Sequence, residues 1–196
     1  VNWLAPVTLE GAHATLAPLS ASHVPGLASA MEDGELWKLW YTSVPAPQAL
    51  AQAVHDLLAQ RDAGRVLPFA VLDAAGVPVG MTRFMNLDPV HKRLEIGGTW
   101  YARRVQRSAL NTECKLMLLR HAFEQQQCIA VEFRTHRLNT ASRRAIERLG
   151  AQLDGILRAH QRTADGNLRD TAVYSITAAE WPTVRTHLMW QLQKPR

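Results

Sequence analysis

The sequence predicts an α/β domain on three observations. Apolar runs alternate with a period of two, apolar stripes recur at helical spacing, and one strand-helix-strand unit fills about 40 residues in mid-chain. Thr8 to Gly11 and Ala14 to Leu19 read as a short hairpin of strands. Ser20 or Ser22 then caps a helix to about Met31, because a serine oxygen accepts the first unpaired backbone N–H groups. Trp37, Leu39, Trp40 and Tyr41 form an aromatic cluster ahead of Pro45 and Pro47. Pro47 suits the first turn of a helix that carries Leu50, Val54, Leu57 and Leu58.

From Leu67 the period changes. Phe69 to Leu72 and Val79 to Leu87 read as antiparallel strands joined by a turn at Ala75-Gly76, and Leu94 to Tyr101 is a further strand. A helix from about Asn111 to Gln125 turns Leu110, Cys114, Met117, Leu118 and His121 to one face, and the strand Ile129 to Thr135 follows at once. This is a βαβ unit, so its two strands are expected to lie parallel with a right-handed crossover. Asn139 or Thr140 opens a short helix with Ala145, Ile146 and Leu149 inward, ended by Gly150. Strands Leu153 to Arg162 and Arg169 to Ile176 flank Ala164-Asp165-Gly166-Asn167, a hairpin signal, and a helix from Ala178 to about Gln193 tolerates Pro182 in its first turn.

No repeat, low-complexity tract or linker interrupts the 196 residues, which read as a single domain over 1–196. At 47% hydrophobic and 20% charged, the composition is globular and excludes a disordered or fibrous chain. Cys114 and Cys128 belong to no CxxC or His-rich spacing, so they read as buried apolar residues in a reducing compartment, and no metal is expected. The N-terminal stretch Val1-Asn2-Trp3-Leu4-Ala5-Pro6 has no leader pattern, and no uncharged apolar run approaches membrane-spanning length, so a cytoplasmic protein is expected.

The net charge of +5 is unevenly placed. Residues 1–102 hold 6 Lys/Arg against 9 Asp/Glu, residues 103–148 hold 10 against 4, and residues 149–196 hold 6 against 4. A basic surplus confined to the middle segment suits a phosphorylated ligand better than a nucleic-acid groove, which is ordinarily less confined.

The chemistry concentrates in Leu94-Glu95-Ile96-Gly97-Gly98-Thr99-Trp100-Tyr101 and in Arg103-Arg104-Val105-Gln106-Arg107-Ser108-Ala109-Leu110-Asn111-Thr112-Glu113. A strand, a polar turn and a helix N-terminus aim several backbone N–H groups one way at the positive end of a helix dipole, which is a seat for an anion. Arg103, Arg104 and Arg107 add charge complementary to a pyrophosphate. A solvated loop before a capped helix would read the same way. Neither GxxxxGK[ST] nor GxGxxG occurs, so kinase and dinucleotide readings lose their support.

At these residues the chain resembles the GNAT superfamily of acyl-CoA-dependent acetyltransferases, and within it the RimJ/RimL branch. The resemblance rests on four blocks: Glu95 to Trp100; Leu110 to Glu113 with Lys115-Leu116 and Leu118 to Glu124; Asn139 with Ser142-Arg143 and Ala145 to Ala151; and Arg169-Asp170-Thr171 with Val173-Tyr174-Ser175. It implies a splayed mixed sheet of about seven strands flanked by helices, whose fourth and fifth strands part to admit acetyl-CoA. The pyrophosphate would rest on the turn before the central helix. Family usage there is Gln/Arg-x-x-Gly-x-Gly/Ala, whereas this chain has Gln106-Arg107-Ser108-Ala109-Leu110-Asn111, with both small positions altered. Glycine permits close approach and positive φ, so Ala109 and Asn111 would move the phosphates outward.

The resemblance further implies direct attack of an uncharged amine on the thioester. Glu95 stands where relatives carry a base, acting directly or through water; its plainer reading is an ionised strand carboxylate paired with Arg93 or Arg134. Backbone at Gly98, Thr99 and Trp100 would hold the thioester and its oxyanion. The tyrosine that many relatives use as acid is Ile146 here, and Ser142 stands where the RimL-like branch places a serine to serve the leaving thiolate. Ser142 reads equally as a residue satisfying helix backbone. Asn139 would bond pantetheine or serve as a cap, and Arg143, Arg144 and Arg148 would meet the 3′-phosphate or stay solvated.

The resemblance also assigns the acceptor groove to Trp37, Trp40, Tyr41, Phe84 and Asn86, although an aromatic cluster serves as core as readily as pocket. His13, His23 and His91 form no metal or triad spacing. The expected activity is acetyl transfer from acetyl-CoA to a primary amine, a protein N-terminus or a small molecule. The rival readings are a non-catalytic acyl-CoA-binding or protein-interaction module and, more weakly, RNA contact through the basic segment. Leu188, Met189 and Trp190 offer an apolar edge that permits a homodimer.

Overall fold

The computed structural model describes residues 3–42, 44–163 and 165–194, so Val1, Asn2 and the Ala164 of the expected hairpin lie outside the described residues. Strands β1 (Leu9–Glu10), β2 (Ala14–Pro18), β3 (Leu67–Asp73), β4 (Pro78–Asp88), β5 (Arg93–Tyr101), β6 (Ala130–His136), β7 (Gln152–Arg162) and β8 (Leu168–Thr177) form one sheet in the order β1-β2-β3-β4-β5-β6-β8-β7. The eight strands are the eight runs read from the sequence, one more than the seven or so that the resemblance implies, and the two-residue β1 pairs with β2 through Leu9 and Glu10.

All neighbours are antiparallel except β5 and β6. Those two pair in parallel only from Arg93 to Glu95 against Ala130 to Glu132, then run on to Tyr101 and His136 paired to β4 and β8 but not to each other. The sheet therefore splits after Glu95.

Helix α3 (Ala109–Arg120) makes the crossover between them and lies on one face. Leu94 and Ile96 of β5, Val131 and Phe133 of β6, Tyr174 and Ile176 of β8, and Leu110, Cys114 and Leu118 of α3 share one buried cluster, as strand and helix periodicity require. The last helix, α5 (Trp181–Gln193), closes this layer with Trp181, Val184 and Leu188. On the other face α1 (Val24–Glu32) and α2 (Leu50–Asp62) cover β2 to β4, burying Leu27, Met31, Leu50 and Val54 against Ala70, Met81 and Trp100.

Several element limits differ from expectation for local reasons. Ser20 caps a 3-10 turn over Ala21–His23, and α1 begins beyond it with Pro25 in its first turn. Helix α3 starts two residues early because Ser108 Oγ accepts the Leu110 N–H at 3.3 Å, and it continues into a π-helical turn over His121–Gln125. Leu188 is fully buried, so of the expected apolar edge only Met189 and Trp190 reach solvent. Both cysteines are buried and free. Among the described residues no cluster could hold a metal ion, and no helix is long and apolar enough to cross a membrane.

Candidate active site

The split between β5 and β6 opens a cavity of about 600 Å³. Its walls are Gly97 to Tyr101 of β5, Phe133 to His136 of β6, Asn111 and Lys115 of α3, and Ser142, Ala145 and Ile146 of α4 (Thr140–Glu147), while Tyr41 and α2 stand at its far side. A second cavity of about 790 Å³ adjoins it, between the start of α3, α4 and α5. The two share Gln106, Asn111 and Ala145, so together they run from the split in the sheet to the N-terminus of α3.

At the helix end, Ser108 caps α3 and its hydroxyl donates to Val105 O at 2.6 Å. The left-handed residue of the turn is Arg107, at φ 58°, whereas Ala109 and Asn111 already lie in the helix. The altered small positions therefore require no positive φ, which corrects the expectation that they displace the phosphates for that reason. Gln106 Nε2 donates to Tyr101 O at 2.9 Å, fastening the turn to β5. Thr112 is buried and accepts from Arg148 Nη1 at 3.3 Å, and Leu110 faces the core.

Asn139 caps α4 by accepting the Ser142 N–H at 3.0 Å, while Ser142 lines the first cavity. Arg143 is held elsewhere, donating to the Tyr174 hydroxyl at 2.7 Å, so it stands apart from the other expected phosphate ligands. Sequence reasoning missed Trp190, Gln191 and Lys194 at the C-terminal end of α5, which line the second cavity, with Lys194 Nζ 5.2 Å from the centre of the Trp190 ring. Their signal, a tryptophan and a lysine on a terminal helix, has no local pattern that points to a ligand.

These cavities fit acetyl-CoA. A capped helix N-terminus with Arg107, Arg148 and Lys194 around it suits phosphates. Asn111 Oδ1 is buried with no hydrogen-bond partner among the described residues, as expected of an acceptor kept for a ligand donor.

At the split, Met81 pairs with Trp100 and Arg83 with Gly97, so Gly98 and Thr99 form a bulge opposite Thr82. Gly98 has φ 58°, a conformation that favours glycine, and a Cβ there would displace the Arg83 guanidinium, whose carbon lies 2.8 Å away. Thr99 Oγ1 lies 2.8 Å from Thr82 Oγ1 and accepts from Lys115 Nζ at 2.8 Å. Burial lowers the Lys115 ammonium from 10.5 to about 8.

Glu95 is buried and lies behind the cavity wall. Its Oε2 accepts from Asn86 Nδ2 at 2.6 Å and stands 3.6 Å from Arg134 Nε, while Arg93 pairs instead with Glu132. Burial raises the Glu95 carboxyl above its ordinary value, and the Asn86 hydrogen bond and Arg134 oppose that rise.

The expected acceptor residues separate. Tyr41 lines the first cavity; Trp40, 58% exposed, meets both Tyr41 and His136 edge-on at 5.5 and 5.1 Å; and Asn86 acts on Glu95. Trp37 packs against the second core instead of reaching the cavity. Phe84 is corrected outright: strand alternation turns it to the α3 side, fully buried against Phe69 and His121. His136 and Arg83 also line the cavity without having been singled out, as do Lys115 and Arg169, which were noted in the motif blocks but given no role at the site.

A profile of the Acetyltransferase (GNAT) domain matches residues 13–152. The sequence has no significant match among curated proteins. Among solved structures, a presumed acetyltransferase of T. thermophilus is 34% identical, over 97% of this chain and 99% of that one, at a TM-score of 0.84. A GCN5-related N-acetyltransferase of Brucella melitensis is 28% identical over 96% and 86%, also at 0.84. Mycobacterium smegmatis RimJ, solved with CoA-disulfide, shares the fold at 22% identity, 95% coverage of each chain and a TM-score of 0.80. With a profile spanning most of the chain and a split sheet leading to a capped helix, the protein belongs to the GNAT family and is an acetyltransferase that uses acetyl-CoA.

Proposed function

We propose that this enzyme transfers the acetyl group to a primary amine, either a protein N-terminus or a small-molecule amine. The observation that carries the reading is the continuous path formed by the two cavities, which joins an anion seat at α3 to a polar chamber at the split in the sheet. Acetyl-CoA supplies an acetyl group activated as a thioester.

Around it, the first turn of α3 with Arg107, Arg148 and Lys194 holds the phosphates, and Asn111 Oδ1 accepts a donor from the ligand. Backbone at Gly98, Thr99 and Trp100 positions the thioester, and the Lys115 ammonium, bonded to Thr99, keeps positive charge beside it. Glu95 takes the amine proton through water, since its carboxylate stays behind the wall; Asn86 orients it. Ser142 offers a hydroxyl to the leaving thiolate.

Calorimetry with acetyl-CoA, together with release of free CoA thiol in the presence of amines, tests the reading. Binding and amine-dependent thiol release are expected. Binding without turnover over peptides and small amines would leave a non-catalytic acyl-CoA-binding module.

A further inference from the structure

Two guanidinium groups in the cavity wall lack the partners that buried charge ordinarily has. Arg83 of β4 and Arg169 of β8 are each partly buried, and the Nε of each is sealed from solvent with no hydrogen bond among the described residues. Neither forms an ion pair within 4 Å with a described residue, although both feel the charge of Glu95. Desolvating a cation without a partner is costly, so a ligand that supplies the missing charge is the natural complement.

Their placement is specific. Arg83 pairs with Gly97, Glu95 with Glu132, Arg134 with Val173 and His136 with Thr171. Alternation along the strands therefore turns Arg83, Glu95, Arg134, His136 and Arg169 to the face away from α3. Arg83 lies against Gly98, at the bulge itself. On that face Arg134 is held by Glu132, with Glu95 nearby, and the acidic residue lining the cavity, Asp56, is exposed and bonded to Gln52 on its own helix. His136 Nδ1 accepts the Leu138 N–H at 3.0 Å, so the neutral ring carries its proton on Nε2 as a further donor.

Resting on the reading of amine acetylation above, we infer that the acceptor is an amine with a carboxylate within a few bonds of its nitrogen, and that Arg83 and Arg169 bind this carboxylate. The same cations disfavour an ammonium, so they hold the bound amine in the uncharged form that attacks, and they repel polyamines. Two sources carry this chemistry: a free amino acid, and a peptide whose first residue is acidic.

The test measures kcat/KM for thiol release with L-amino acids against their carboxamides, with tetrapeptide amides beginning in Asp or Glu against Asn or Gln, and with spermidine. The acid member of one set is expected to exceed its amide by about 30-fold, the scale of a charge-assisted hydrogen bond, and the set that responds identifies the source. Arg169→Gln should bring the acid-to-amide ratio of kcat/KM, measured within the variant, towards one while acetyl-CoA binding is retained. Arg83→Lys, which keeps charge and loses the planar fork, should weaken it partially. Equal rates for acids and amides, or a best rate with spermidine, overturn the acceptor class while leaving amine transfer standing. Acetyl-CoA binding without transfer to any of these amines overturns both.

Discussion

Lys115 ends where an ammonium is costly, donating to Thr99 inside the split sheet. Its value falls to about 8 in the fold against 10.5 when unfolded, so below pH 8 both states are charged and the folded state bears the whole penalty. Between pH 8 and 10.5 the unfolded chain binds more protons, and stability from this group rises with pH. Lys115→Met should therefore be the more stable protein at pH 7, by up to about 3 kcal/mol, and that advantage should vanish by about pH 10.5 in urea melts. Glu95 runs the other way: burial raises its carboxyl, so its basic form is lost on acidification at a higher pH than an ordinary carboxylate loses it. Glu95→Gln is expected to lower kcat about 100-fold and to remove the acid limb of the pH–rate profile. Glu95 and Ser142 drew notice as candidates because they sit in motif blocks. Arg83 and His136 did not, since each stands in an ordinary strand pattern, and Arg169, although inside a motif block, gains a place at the cavity only when β4, β6 and β8 are set into one sheet.

Among elements, α3 organises most of the molecule. Glu113, in its first turns, reaches 100 residues back to accept the N–H groups of Ala12, His13 and Ala14 at 2.9, 2.6 and 2.9 Å, so one carboxylate ties the β1–β2 turn to the helix that carries the anion seat. A Cβ on Gly11 would fall 2.5 Å from that carboxylate, so the turn needs glycine there for space. Glu113→Ala should cost about 2 to 3 kcal/mol of stability, measured by urea denaturation, because three donors lose a charged acceptor together. Helix and strand order was legible from periodicity, and so was the parallel pairing of β5 with β6 from the length of the crossover. The first residues of α3 were misread because Asn111 and Ser108 are both good caps, and the choice depends on Arg107 adopting φ 58°, which no side-chain pattern announces. Phe84 was misplaced for a related reason: an aromatic residue on a strand suits either face until the register is known.

At the scale of the whole molecule, the sheet is two sheets joined over three residue pairs, from Arg93–Ala130 to Glu95–Glu132. Core on the α3 side crosses the seam through Leu94, Ile96, Val131 and Phe133, but beyond Glu95 the facing edges of β5 and β6 make no hydrogen bonds to each other. A ligand bound there and at α3 contacts both halves at once, and it can bind only where the two halves hold their folded spacing. Linkage then fixes the size of the effect: at a hundredfold excess over Kd, acetyl-CoA adds about 2.7 kcal/mol. For a chain of this length that is a rise in Tm of about 5 to 10 °C. The rise alone would follow from binding anywhere on the fold, so its location decides the matter. Hydrogen exchange should slow most at residues 96–101 and 133–136, where β5 and β6 no longer pair with each other, and at 109–112 in α3, with little change in β2, β3 and the hairpin of β7 and β8. A uniform slowing across the sheet would instead mean that the halves already act as one unit and that the ligand stabilises the fold without bridging the split.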